Sequence, residues 1–217
     1  MKKKLLLGIL GFLCLVVPAQ AQLQKGTKYV AATISFNGRH SDNQYDAGSS
    51  FKTNTVSIFP SMQFGKFIRE NRMIGLGLGA NLIFIRTKNQ SSSQSYDSGL
   101  NSFAYAVSPY IRHYKPLSAK WALFLNSSVN LTYNHYKNFD DQDSKKQDGY
   151  SAGIQLTPGI SYWITPRFAV ESDLNFLSLA AGYQHLPGAR NIYFNSAVTS
   201  NLTSYFSVRA SWYLQKP

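Results

Sequence analysis

The first residues to weigh are those that could do chemistry. Gly149-Tyr150-Ser151-Ala152-Gly153 has the spacing that presents a nucleophilic serine on a sharp strand-to-helix turn. Here the alternation of apolar and polar residues runs straight on through Ile154 and Leu156, with no helix behind it, so the motif lacks the bend that gives it meaning. Gly75-Leu76-Gly77-Leu78-Gly79 is glycine-rich but has neither the spacing nor the following helix of a phosphate loop. The four histidines, His40, His113, His135 and His185, show no paired ligand spacing, and the one cysteine, Cys14, cannot build a thiolate site alone. No catalytic residue, metal or cofactor is therefore expected. The enzymatic alternative is a hydrolase assembled from Asp42 with His40 or His185. What remains is a set of four charges, Arg112, Glu171, Asp173 and Arg209, set in segments otherwise poor in charge.

Their meaning depends on the elements that carry them, and the dominant period there is two. Ile74, Leu76, Leu78, Ala80, Leu82 and Phe84 alternate with Gly75, Gly77, Gly79 and Asn81. Glycine at alternate positions would ruin a helix, so this is a strand. Leu123, Leu125, Val129, Leu131 and Tyr133 alternate with Asn126, Ser128, Asn130 and Thr132, and Phe206 to Leu214 alternates likewise. Eight such segments are expected, near 28–38, 53–67, 73–86, 102–115, 121–135, 150–164, 168–180 and 200–214. Short turns at 68–72, 116–120 and 165–167 alternate with long polar loops at 39–52, 87–101, 136–149 and 181–199. Pro60, Pro109 and Pro158 lie 49 residues apart. Proline cannot donate to a ladder, so a local bulge or kink is expected at each.

The parity of these segments separates two architectures. A water-soluble barrel turns its apolar parity inward, whereas a membrane barrel turns it to lipid and lines its lumen with polar, small and glycine residues. The polar parity here would make a poor dry core and a reasonable lumen. Aromatics gather at both strand ends, with Tyr29, Phe67, Tyr114, Trp121, Tyr162, Trp163, Phe168, Trp212 and Tyr213 towards the short turns and Phe36, Phe51, Phe103, Tyr133, Tyr136 and Tyr150 towards the loops. Two interfacial girdles are what a bilayer selects. The chain opens with Lys2-Lys3-Lys4, an apolar run from Leu5 to Val17 and the small-x-small site Ala19-Gln20-Ala21. That order describes a secretory signal peptide, and the run is shorter than the roughly 20 residues a spanning helix needs. Cleavage after Ala21 is expected, giving a mature chain from Gln22. The expected organisation is thus a leader at 1–21 and one all-β domain at 22–217: an eight-stranded antiparallel up-and-down transmembrane β-barrel with short periplasmic turns and four long extracellular loops.

With these features, including the strand–turn–strand stretch Leu156 to Pro166 and the aromatic last strand ending Trp212-Tyr213-Leu214, the chain resembles the small outer-membrane β-barrel families of Gram-negative bacteria, the OmpA/OmpX-like and porin-like group. The resemblance implies Sec export, residence in the outer membrane among its lipids, and assembly by the barrel-insertion machinery. It implies an architecture more than an activity. The final strand looks like the C-terminal signal that this machinery reads, although the chain continues Gln215-Lys216-Pro217 where the family prefers a terminal aromatic. Lipid A deacylases among such barrels carry a His-x-Ser motif, which this sequence lacks.

Charge can now be placed. The chain has 217 residues and a formal net charge of +12, with charged residues at only 15% against about 25% in ordinary soluble domains. Lys25, Lys28, Lys66, Arg69, Arg72, Lys115, Lys120, Arg167 and Lys216 fall at the short-turn end with only Glu70 against them, which forms a basic periplasmic rim suited to anionic headgroups. Export makes nucleic acid an unfitting partner for that charge. Arg112, Glu171, Asp173 and Arg209 all fall on lumen parity near the short turns, and Glu171 and Asp173 on segment seven should reach Arg209 on segment eight. An eight-stranded interior is just wide enough for side chains to fill. These four charges are therefore expected to pair as a static plug or, alternatively, as a gate. The expected role is non-enzymatic, either structural or through a surface ligand on the long loops, with the protein a monomer. A narrow channel for small solutes or ions is the alternative, and a lipid A- or peptide-modifying hydrolase the second.

Overall fold

The computed structural model describes residues 23–45, 49–90, 95–140, 143–186, 189–196 and 206–214. Ten strands follow in chain order: β1 (Lys28–Tyr45), β2 (Ser49–Arg69), β3 (Arg72–Gln90), β4 (Ser95–Pro116), β5 (Trp121–Asp140), β6 (Asp143–Thr165), β7 (Phe168–Leu174), β8 (Leu179–Leu186), β9 (Ala189–Ser196) and β10 (Phe206–Leu214). All pairings are antiparallel, and β1 to β6 each pair with their sequence neighbours. β10 lies between β1 and β7, and β7 pairs with β6, so the sheet closes on itself. β7 and β8 are two lengths of one wall strand, since both pair with β6 on either side of the 3-10 turn Asn175–Leu177. Counted that way the wall has eight strands, as the sequence predicts. β9 folds back along β8.

Three expectations need correction. The long loops are mostly ladder: β1 to β6 run for 18 to 23 residues each, and Tyr45↔Ser49, Gln90↔Ser95 and Asp140↔Asp143 are still paired. Backbone pairing needs no apolar face, so loss of hydrophobic alternation marks where the sheet enters a polar setting rather than where it stops. The seventh segment is broken at Asn175–Leu177, and of the expected eighth segment only Phe206–Leu214 lies among the described residues. The prolines at 60 and 109 shift no register, because the ladder skips a step beside each and resumes in phase. Pro158 lies where β6 changes partner from β8 to β7. The register shifts fall instead at Phe67/Arg69 and Trp163/Thr165, next to the tight turns.

The side chains confirm an inside-out arrangement. Leu76, Leu78, Leu125 and Leu131 point outward at 41–50% exposure, while Arg112 and Glu171 inside are at 0%. Glycines make the narrow interior possible. Tyr110 on β4 lies flat across Gly75 of β3 and donates from its hydroxyl to the Phe64 carbonyl on β2 at 3.2 Å. A Cβ at Gly75 would sit 2.3 Å from both that carbonyl oxygen and the Tyr110 ring. Gly159 likewise gives way to the Phe124 ring from the facing strand. The short-turn end is sealed by residues 23–27, which tuck beneath the barrel: Asn71 N–H donates to the Leu23 carbonyl, Gly26 N–H to Phe67, and Phe67 N–H to Thr27. Leu23 is fully buried there with Phe67, Met73, Ala122 and Trp163. Because the carbonyl cannot retreat without disturbing the ladder, nor the ring without giving up its hydrogen bond to Phe64, Gly75→Ala should lower stability by about 1–3 kcal/mol. An equilibrium urea titration of the refolded protein checks this.

Candidate functional site

The four lumen charges meet, and Glu171 is their centre. β7 carries it inward opposite Arg209 of β10 on one side and Ser161 of β6 on the other. Arg112 arrives from β4 across the interior. One carboxylate oxygen, Oε2, accepts from Arg112 Nη1 at 3.0 Å, Arg209 Nε at 3.0 Å and the Tyr29 hydroxyl at 2.6 Å. The other, Oε1, accepts from the Tyr213 hydroxyl at 2.6 Å, Ser161 at 3.0 Å and, more weakly, Tyr114 at 3.3 Å. Arg209 also reaches Asp173 through Nη2. Two guanidiniums thus balance two carboxylates, as parity predicts.

Arg112 is equally well held. Its Nη2 donates to Gln63 Oε1 at 2.7 Å and its Nε to Asn126 Oδ1 at 3.3 Å, while Nη1, shared with Glu171, also lies within hydrogen-bond distance of the hydroxyls of Tyr29 and Tyr114. Its guanidinium lies 4.6 Å from the Phe124 ring centroid and 5.2 Å from those of Tyr29 and Tyr110. A buried charge persists when its attraction to a partner and its hydrogen bonds together offset desolvation. Both conditions are met here, and the result is a plug of hydrogen-bonded charge standing on the apolar floor.

The tyrosines of this network are where sequence reasoning went astray. Tyr29, Tyr114 and Tyr213, with Phe67 and Trp163, were expected in the lower aromatic girdle, yet all five are buried inside. Trp121 and Trp212 do face outward at 43% and 42% exposure, each against an aromatic of the next strand, Tyr162 and Phe168. Parity would have separated the two sets, because Tyr29 shares a face with Ala31, Tyr114 with Arg112, and Tyr213 with Arg209. Above the plug, towards the long hairpins, a cavity of about 190 Å³ is lined by Ser61, Ser108, Asn126, Asn130, Gln155 and Thr157 among others. Asp173 of the plug also lines it.

The other predicted residues separate cleanly. Lys66, Arg69, Lys115, Lys120 and Arg167 are exposed around the short-turn end and Arg72 is half-buried there. Ala19, Ala21 and Gln22 lie outside the described residues. Ser151 sits within the straight β6 ladder opposite Thr132 and Gln184. His40 bonds Asn54, Asp42 pairs with Lys52, and His185 packs on Tyr150, so these groups are not brought together around a hydroxyl.

Fold and site together define a closed eight-stranded antiparallel barrel, apolar outside and filled within by a charge-paired plug. No family model and no curated protein sequence matches the chain. Among solved structures it is similar to the crystal structure of Neisserial surface protein A (NspA), at 14% identity and a TM-score of 0.40, over 88% of this chain and 100% of that one. So distant a likeness brings no property of that protein to this chain.

Removing the central charge tests the network. Glu171→Gln keeps the shape but leaves Arg112 and Arg209 without their shared counter-charge, which should cost about 3–5 kcal/mol. The midpoint of unfolding in urea from lipid vesicles measures it, and a loss below about 1 kcal/mol would mean the lumen is wet enough to solvate the arginines.

Proposed function

We propose that this protein is an integral outer-membrane barrel with a structural or surface-interaction role, exported after removal of residues 1–21, inserted by the barrel-assembly machinery, and acting as a monomer. The observation that carries the reading is the pairing of an apolar exterior with a sealed interior. Outward leucines, isoleucines and valines ring the wall with Trp121 and Trp212 near the short turns, which suits a bilayer and no aqueous setting. The basic rim suits anionic headgroups on the periplasmic side. Within, the plug and the buried floor beneath it fill the short-turn end among the described residues, which favours a scaffold over a channel. The paired hairpins beyond the apolar band are then the outward-facing part, where binding surfaces on rigid scaffolds generally lie. Membership of the OmpA/OmpX-like group fits the same features.

Membrane insertion is read from heat-modifiable gel migration of the outer-membrane fraction. The scaffold role is read from planar-bilayer recordings, in which the wild type should show no unitary conductance. Arg209→Ala should be equally silent, because Arg112, Phe124 and the residues 23–27 still close the lumen. Conductance in the variant alone would identify the plug as a gate, and conductance in the wild type would overturn the scaffold reading in favour of a narrow channel.

A further inference from the structure

We propose that the outward face of β3 to β6, just beyond the apolar band at the hairpin end, binds the phosphate of an anionic membrane lipid through Arg86 and Lys137, which flank Phe139, and Lys146, which faces Lys137 across the ladder. The proposal rests on the membrane-barrel reading above and adds a site to it. The strand register builds the site. Phe84, Asn101, Lys137 and Lys146 form one row across β3 to β6, and Arg86, Gly99 and Phe139 the next. These positions share the parity of Leu82, Leu131 and Tyr133, so the cations continue the lipid-facing side of the wall and not the lumen.

Three features set this cluster apart from a solvated rim. Lys137 and Lys146 are directly opposite each other on neighbouring strands, an arrangement that is destabilising unless something negative lies between them. Gly99 lets Arg86 lie flat over β4, since a Cβ there would come within 3.1 Å of its Nη1 and 3.2 Å of its Cδ. The Phe139 ring then gathers two cations, with the Arg86 guanidinium 5.1 Å and the Lys137 Nζ 4.7 Å from its centroid. The neighbouring carboxylates on this face have partners of their own, although Asp148 also lies close enough to Lys146 to feel its charge. Asp97 pairs with Lys88 at 3.7 Å, and Asp148 accepts from Tyr133 at 2.7 Å and bonds His135 Nδ1 at 2.6 Å.

A fork-shaped guanidinium beside two ammonium groups is the donor set that a phosphate monoester takes. The surface directly below supplies Phe84, Phe103 and Tyr105, and Phe103 stacks on His135. That places a cluster of cations over an apolar wall, which favours a lipid, with its acyl chains lying along the barrel, over free phosphate.

The test uses the full-length protein refolded into phosphatidylcholine vesicles with or without a minor fraction of phosphatidic acid as the phosphomonoester probe. Gel mobility before and after boiling is read first. Native mass spectrometry after mild detergent extraction then counts retained lipid. Wild type should retain phosphatidic acid about tenfold over phosphatidylcholine, K137Q/K146Q should lose that preference, and K88Q, whose lysine serves Asp97, should keep it. A folded wild type without preference, or a folded double variant with an undiminished one, overturns the site. Displacement of the lipid by inorganic phosphate in the buffer would overturn the lipid as its source. Absence of a heat-modifiable form in the wild type would overturn the barrel reading and this site with it. Should K137Q/K146Q not fold, R86Q read in the same way decides.

Discussion

The structure turns on a single carboxylate. Glu171 is fully buried, touches two arginines and accepts from four hydroxyls, three donors to each oxygen. An isolated ionised carboxylate would not survive in such a place. Its partners come from β1, β4, β6 and β10, so the ion is stable only when the barrel is closed and every strand is in register. A slip of one residue would turn Arg209 or Tyr213 out to the wall and leave the charge stranded. The network is thus an electrostatic check on closure that no local hairpin can satisfy. It gives a reason for four charges on the inward face of strands otherwise sparing of them there.

Closure in turn depends on glycine. Eight strands leave little space, yet the interior must hold Tyr29, Tyr110, Tyr114, Tyr213, Phe124 and Trp163 besides the arginines. It does so by laying rings over strands that have no Cβ at the point of crossing, Tyr110 over Gly75 and Phe124 over Gly159. The glycine run of β3, which resembles a phosphate loop by composition alone, is a groove for an aromatic ring. Phe124 then serves twice, filling the space above Gly159 and presenting its face to both Arg112 and Arg209. Packing and electrostatics are the same contacts seen from two sides.

Much of this is legible in the alternation. Strand count, short-turn positions, wall orientation and the inward placement of Arg112, Glu171, Asp173 and Arg209 all follow from period two. What escapes it follows a rule as well. Counting aromatics near strand ends put Tyr29, Tyr114 and Tyr213 in the lipid girdle, although their parity with Ala31, Arg112 and Arg209 faced them inward. End position is the weaker criterion, because one end of a sealed barrel needs large side chains on both faces. The hairpins read as loops because their residues are polar, whereas pairing there needs no apolar face and is sustained by backbone hydrogen bonds with local polar side-chain pairs. The interruption at Asn175–Leu177 is marked in the sequence as well: Leu177 shares the parity of Glu171, Asp173 and Asn175 yet is apolar, and from Leu179 the outward-facing residues continue on that parity.

These differences suggest a division of labour along the barrel axis. At the short-turn end, aromatic packing, the tucked residues 23–27 and the Glu171 network are mutually dependent, and few substitutions can be absorbed. Towards the hairpins the interior becomes a polar cavity of small hydroxyls and amides, and the wall extends past the apolar band as paired ribbon. Cross-strand pairs there, such as Asp42 with Lys52, Lys88 with Asp97 and His135 with Asp148, are local to two neighbouring strands. Each can change without reference to the others or to the plug. A fold whose cooperative interactions sit at one end leaves the other free to vary its surface while the barrel stays closed, which is the property a displayed surface requires.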